Sequence, residues 1–300
     1  MYDILIIGAG PAGLTAAIYG TRANKKVLVL ESNVVGGQIV NTMDIENYPS
    51  TPHVTGFDFS QNLSKQATEL GAEIKFEKVE SIEDGEIKKV KTNLNTYETK
   101  TIIIATGLEN RTLNIPNEQE LLGKGISICA VCDGGFFRGK DVAVVGGGNT
   151  ALEDTLYLSN IVNKVYLIHR RNEFRADAKT VELVKSKPNV EFILDSTISS
   201  INGENTLENI EVMNKNGDVK VLNISGLFIA IGKIPNTDFL NNLITLDEQG
   251  FIVSDETCRT NVKGIFVAGD IRNKQVRQLV TATNDGAIAA SEAIKYLDNK

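Results

Sequence analysis

The sequence predicts an α/β protein built of two doubly wound, three-layer halves. Three observations predict it. Short apolar runs of strand character alternate with segments of helical spacing along most of the 300 residues. Two glycine loops begin at Gly8 and Gly146, 138 residues apart, each directly after an apolar run. Each half then closes on a related strand end, Ala105-Thr106-Gly107 in the first and Ala230-Ile231-Gly232 in the second. Repetition of this kind reads as two nucleotide-binding domains of common, Rossmann-like design.

The elements follow in order. Ile4–Ile7 is a buried strand, Pro11–Ala23 a helix with Leu14, Ala17 and Ile18 on one face, and Val27–Leu30 the next strand. A longer helix covers Phe57–Leu70 and stops at Gly71. From Ile74 to Thr99 the alternation is polar and suits an antiparallel excursion, after which Thr101–Ala105 returns as a buried strand. The second half repeats the order with strand Val142–Val145, helix Thr150–Leu158 and strand Val165–Ile168. Polar β-like segments follow between Glu191 and Val221, then the buried strand Leu227–Ile231. A last segment, strand Gly264–Asp270 and an Ala-rich helix Gln278–Leu297, could not bury its apolar surface alone and must complete one of the two sheets.

Composition narrows the function classes. A hydrophobic fraction of 42% and a charged fraction of 23% are those of a globular chain. The net charge of −7 argues against general affinity for nucleic acid or an anionic membrane. No apolar run approaches the roughly 20 residues of a membrane span, and the N-terminus lacks the features of a signal peptide. The expected location is the cytoplasm. Three cysteines are too few for a disulfide scaffold.

The two glycine loops select different ligands. Gly8-Ala9-Gly10-Pro11-Ala12-Gly13 fits G-x-G-x-x-G between a strand and a helix. Such a loop turns tightly, lets the backbone approach a pyrophosphate, and packs the helix close to the strand. Glu31, 23 residues after Gly8, ends the next strand, where a carboxylate accepts from free ribose hydroxyls. This site suits FAD or NAD. The second copy, Gly146-Gly147-Gly148-Asn149-Thr150-Ala151, leads to His169-Arg170-Arg171, with Arg175 after Phe174. Here bases replace the acid, so guanidinium groups can hold a 2′-phosphate and the site suits NADP.

Cys129-Ala130-Val131-Cys132 has the C-x-x-C spacing, with Asp133 directly after it, and lies just before the second glycine loop. Two thiols so spaced can close an accessible disulfide that exchanges rapidly, and Asp133 could move the accompanying proton. A zinc knuckle is the rival reading. It needs four ligands, and Cys258, His53 and His169 include no second close pair. Cys258, with no partner, reads as a core or semi-buried filler.

In this order, the glycine loop, C-A-V-C-D-G, second loop and H-R-R-x-x-F-R-A resemble the low-molecular-weight, bacterial-type thioredoxin reductases over essentially the whole chain. The resemblance implies a discontinuous FAD domain, residues 1–110 and 241–300, with an NADPH domain inserted at 111–240. It implies that Gly36, Gly37, Gln38 and Asn47 lie near the flavin, as do Ala105, Thr106 and Gly107. Gly269 and Asp270 would lie at its ribityl or phosphate region, and Arg277 and Gln278 at the flavin itself. His169, Arg170, Arg171 and Arg175 match the family's motif for the NADPH 2′-phosphate, with Gly146, Gly148, Asn149, Thr150, Ile231 and Gly232 around the same nucleotide. NADPH would reduce FAD, and FAD the Cys129–Cys132 disulfide, with Cys132 facing the flavin. Cys129 would attack thioredoxin or a thioredoxin-like protein, and Asp133 would serve as acid/base. The inserted domain would rotate about crossings near Arg111 and Leu240, and the protein would be a homodimer. A ferredoxin-fed relative, or a flavoenzyme acting on another disulfide or as a dithiol oxidase, is the alternative. The chain departs from the commonest family pattern at Ile128, Asn114–Asn117, Tyr48–Thr51 and Ala282–Gly286.

Overall fold

A computed structural model describes every residue except Met43, Pro52 and Lys300. The chain divides into two compact units, Met1–Glu109 with Ile234–Lys300, and Asn110–Lys233.

The first unit opens with β1 (Tyr2–Ile7), α1 (Pro11–Arg22), β2 (Val27–Glu31), α2 (Gly56–Glu69) and β3 (Glu73–Phe76). An antiparallel excursion of β4 (Val79–Glu83) and β5 (Lys88–Thr92) leads into β6 (Thr96–Ile104). Strands β3, β2, β1 and β6 run parallel in that order. Their residues are apolar on both faces because both faces are covered. Ile4 and Ile6 pack with Leu14, Ala17 and Ile18 of α1, whereas Leu5 and Ile7 pack on the opposite side with Ile102 and Ile104. Pro11, at the first helical position of α1, brings a backbone angle suited to the helix where its missing N–H costs nothing.

The crossing strand β7 (Leu108–Asn110) leads into the second unit, which holds β8 (Ile126–Ser127), the one-turn helix α3 (Ala130–Asp133), β9 (Asp141–Gly146), α4 (Asn149–Ser159), β10 (Lys164–Ile168), α5 (Ala178–Lys185) and β11 (Val190–Ile193). Then come the antiparallel β12 (Ser196–Asn202), β13 (Asn209–Asn214) and β14 (Val219–Asn223), and the buried β15 (Gly226–Ala230). The parallel sheet has the order β11-β10-β9-β15-β8. One face packs on Leu152 and Leu158 of α4 and Val184 of α5, and the other on Ile198, Ile210 and Leu222 of the antiparallel layer. Three layers result.

The chain returns through β16 (Lys233–Pro235) to supply β17 (Ile265–Val267) and the 20-residue α6 (Leu279–Asp298) to the first unit. Strand β17 pairs with Ile102–Ile104, the apolar half of β6, while the polar half pairs with β5. Helix α6 lies close against α1, since a Cβ on Gly286 would fall 2.1 Å from the carbonyl oxygen of Ala12. The expected boundary at residue 240 needs correction. Residues 234–240 belong to the first unit, because Phe239 and Leu240 are buried there with Val79, Ile82 and Ile244. Among the described residues no helix is long and apolar enough to cross a membrane.

Candidate active site

Cys129 and Cys132 are joined as a disulfide, S–S 2.02 Å. Cys129 caps the N-terminus of α3, and its Sγ accepts the Cys132 amide N–H at 3.2 Å. The turn is drawn together by Ser127, a residue that sequence reasoning passed over. Its buried hydroxyl accepts the Cys129 amide N–H at 3.0 Å and donates to the Asp133 carboxylate at 2.6 Å. Gly134 lets α3 seat on α4, since a Cβ there would come within 2.9 Å of the Leu158 side chain. Beside the disulfide, Ile128 and Val131 are half-exposed and Phe136 is 76% exposed, an apolar surface where most side chains of that type are buried.

In the first unit the predicted residues converge through short backbone approaches. Gly8 has φ +103°, and a Cβ on it would lie 2.4 Å from the carbonyl oxygen of Ala105. The loop Gly8–Gly13 therefore abuts Ala105-Thr106-Gly107. Gly36, at φ +104°, donates its N–H to the Ala9 carbonyl at 2.8 Å, and Gly37 lies against Gly10. Gln38 donates from Nε2 to the carbonyl of Leu108. The Asn47 Nδ2 donates to Gln278 Oε1 at 3.2 Å, and Gln278 caps α6 reciprocally with Thr281. Arg277 donates to the Asp270 carbonyl at 3.3 Å and lies 4.1 Å over the ring of Phe251, another contact that the sequence did not reveal. Glu31 is buried and holds the loop itself: its two oxygens accept the amides of Ala9 and Asn33, each at 2.8 Å. A carboxylate offers about four acceptor positions, so two remain for hydroxyls of a ligand.

Two features of this unit fit a dinucleotide. Thr106 Oγ1 is buried without a hydrogen-bond partner among the described residues, the condition of a group whose partner is a ligand. At Gly10 the backbone is extended, φ −74°, and a Cβ would meet nothing within 4 Å. Neither backbone strain nor internal packing calls for glycine there, and the open position would admit the close approach of a pyrophosphate.

The second unit repeats the arrangement. Gly146, φ +156°, abuts Ala230 as Gly8 abuts Ala105, with Ile231 and Gly232 directly after it, and Gly148 shares the open Cβ position of Gly10. Asn149 and Thr150 open α4, and Asn149 Oδ1 accepts the amide of Asp177 at 2.8 Å. The Arg175 amide donates to the Gly147 carbonyl at 2.7 Å, pinning the basic loop to the glycine loop. Arg170, Arg171 and Arg175 are exposed, and none enters an ion pair with another described residue. His169 is buried beside them against Gly147, stacked on Phe174, with Nε2 3.1 Å from the carbonyl of Glu173. Burial pushes the imidazole pKa down and the three arginines push it the same way, against the bond to Glu173. A neutral imidazole packs the loop while the arginines carry the charge.

Comparison with known proteins shows the family to which the chain belongs. The family model for pyridine nucleotide-disulphide oxidoreductases matches residues 2–286, and the chain belongs to that family. Within it the chain belongs with the thioredoxin reductases. It is 42% identical to a thioredoxin reductase of Listeria monocytogenes, covering 99% of this chain and 94% of the relative. It is 43% identical to that of Peptoclostridium acidaminophilum, covering 99% and 98%. The crystal structure of Lactococcus lactis thioredoxin reductase in its FR conformation superposes with a TM-score of 0.86 at 42% identity, covering 100% of both chains. Membership implies an oxidoreductase that uses a flavin and a nicotinamide cofactor.

Proposed function

We propose that this chain is a thioredoxin-disulfide reductase that binds FAD in its first unit and takes its electrons from NADPH in its second. The single observation that carries the reading is a formed, flanked disulfide in the same unit as three unpaired arginines at a nucleotide-type glycine loop. Glu31 and the loop Gly8–Gly13 would hold the adenosine half of FAD, and Asn47, Asp270, Arg277 and Gln278 its flavin half. Arg170, Arg171 and Arg175 would hold the 2′-phosphate of NADPH.

A bound flavin supplies a two-electron relay between the nicotinamide and the disulfide. The disulfide takes up two electrons and two protons and opens to two thiols. Cys129, as thiolate, attacks one sulfur of the thioredoxin disulfide and displaces the other as a thiolate, which takes a proton. Cys132 then attacks Cys129 Sγ in the mixed disulfide, releasing dithiol thioredoxin and restoring the Cys129–Cys132 bond. Asp133, held by Ser127, takes or returns the protons of these steps. The exposed Ile128, Val131 and Phe136 give an apolar partner surface something to bury.

The disulfide and the NADPH site share one unit, so the two serve the flavin in turn by rotation about the crossings Leu108–Asn110 and Lys233–Pro235. The proposal extends to a homodimer in the cytoplasm, and sedimentation velocity checks the dimer. The decisive experiment is NADPH oxidation with thioredoxin as acceptor, comparing the wild type with Cys132→Ser. We expect that variant to keep flavin reduction by NADPH and to lose disulfide reduction. Unchanged turnover would sink the role of Cys132, and activity with small disulfides alone would favour a flavoenzyme acting on another disulfide.

A further inference from the structure

The segment that carries Gly269, Asp270, Arg277 and Gln278 is held from behind by one carboxylate. Asp285, on the second turn of α6, is 1% exposed and gathers four donor contacts. Its Oδ2 accepts the Gly269 amide at 3.1 Å, Arg272 Nε at 2.9 Å and Lys274 Nζ at 2.9 Å, and its Oδ1 accepts Arg272 Nη2 at 3.1 Å. Arg272 is itself buried and spends a further donor, Nη1, on the carbonyl of Asp255 at 3.2 Å. Lys274 lies between two acids, 2.9 Å from Asp285 and 3.6 Å from Asp270.

Taking three charged groups out of water costs free energy that apolar side chains of the same volume would not. What such a cluster provides instead is direction. Each of its bonds has a fixed length and angle, so the backbone at Gly269 and the side chains two and four residues beyond Asp270 have one arrangement. Gly269 sits at φ +82°, a left-handed turn that suits glycine. Three donors meet Oδ2 and one meets Oδ1, and at 1% exposure the enclosed carboxylate presents no surface to a ligand.

We propose that Asp285 is a positioning residue for the cofactor: through Gly269, Arg272 and Lys274 it sets residues 269–278 in the conformation that receives the flavin nucleotide, without touching it. This rests on the FAD reading of the first unit. The test compares wild type, Asp285→Asn, Lys274→Met and Lys274→Arg as full-length holoprotein, reading FAD release on dilution from the rise in flavin fluorescence. The Tm of each protein stripped of flavin is measured alongside. We expect Asp285→Asn and Lys274→Met to weaken FAD retention about ten-fold or more, the size of a lost charge-assisted hydrogen bond, with Lys274→Arg close to wild type. The stripped Lys274→Met protein should melt near the wild-type temperature. If Asp285→Asn does not fold, Lys274→Met carries the test alone. Wild-type FAD retention in Lys274→Met overturns the proposal and leaves the FAD reading standing. Loss of FAD only in step with a fall in the stripped protein's Tm overturns it in favour of a purely structural cluster. A wild type that holds no FAD overturns both.

Discussion

The hydroxyl of Ser127 donates to the carboxylate of Asp133 over 2.6 Å and receives the Cys129 amide in return, so one oxygen ties the proposed acid to the proposed attacking thiol. A hydrogen bond to a charged group contributes about 1.5–3 kcal/mol. Ser127→Ala should therefore slow disulfide exchange by about ten-fold or more while flavin reduction by NADPH keeps its rate. Stopped-flow measurement of the two half-reactions separates them, and Ser127→Thr should restore most of the loss. Equal slowing of both would place Ser127 in the scaffold alone.

Gly10 and Gly13 belong to one motif but serve different ends. A Cβ on Gly13 would lie 1.9 Å from the carbonyl oxygen of Gly8, a backbone atom that cannot yield. Gly13→Ala should cost 1–3 kcal/mol or more, about the range of overpacking, with or without flavin. Gly10→Ala meets no protein atom within 4 Å. It should leave the stripped protein as stable as wild type, or more stable by about 0.4–1 kcal/mol from reduced unfolded-chain entropy, yet empty it of flavin. Gly148→Ala should do the same to NADPH affinity. Thermal unfolding with and without each nucleotide checks all three.

Removing the charge of Arg170 and Arg171 together should raise the KM for NADPH about 10–100-fold, as expected for charge-assisted bonds to a phosphate. The KM for NADH should scarcely move. Steady-state kinetics with the two nucleotides reads the difference, and an equal effect on both would remove the 2′-phosphate from the account.

Cys258 is fully buried, and burial above all, then the nearby Asp285, pushes its thiol up to about 12. The thiolate is the reactive form. A thiol reagent added to the NADPH-reduced native protein should count two fast groups, and a third only after denaturation. A fast third thiol would contradict the packing of Cys258.

Burial, then the neighbouring Glu153, pushes the carboxyl of Asp154 in α4 up to about 6. Between the unfolded carboxyl value near 3.9 and that raised value the folded state binds the extra proton. Its stabilising effect is thus complete at low pH and is lost as pH rises through 6. Asp154→Asn should stabilise the protein at pH 8, and its advantage should shrink by roughly 1–2 kcal/mol at pH 5. Thermal melts at the two values decide it.

How far these features were legible depended on whether spacing along the chain carries them. Both glycine loops were readable because a strand, a tight turn and a helix enforce a fixed interval between Gly8 and Gly13. The basic cluster was readable because Arg170 and Arg171 end a strand, where position alone dictates what they face. Strand β6 was harder. Its polar half pairs with β5 and its apolar half with β17, so one nine-residue strand read as two elements. The crossing expected near Leu240 falls earlier in the chain, since two apolar residues in a turn, Phe239 and Leu240, do not say which core they enter. Glu31 was assigned to a ribose, but its bonds to Ala9 and Asn33 depend on loop geometry that no pattern encodes. The Arg272, Lys274 and Asp285 cluster was invisible for the same reason: a loop and a helix face bring it together.

One feature of the topology bears on how the protein is made. Strand β17 and helix α6 complete the sheet that β1 begins, so synthesis opens the first unit and leaves it unfinished while the whole second unit is produced. At about 5–20 residues per second, the interval from Glu109 to Asp298 lasts roughly 10–40 s. During it the apolar edge of β6 and the α1 face that later receives α6 stand open on the ribosome-bound chain, while the second unit, uninterrupted in sequence, can close. The nascent protein therefore holds a complete second unit, with its redox pair, while its first unit is still half-built.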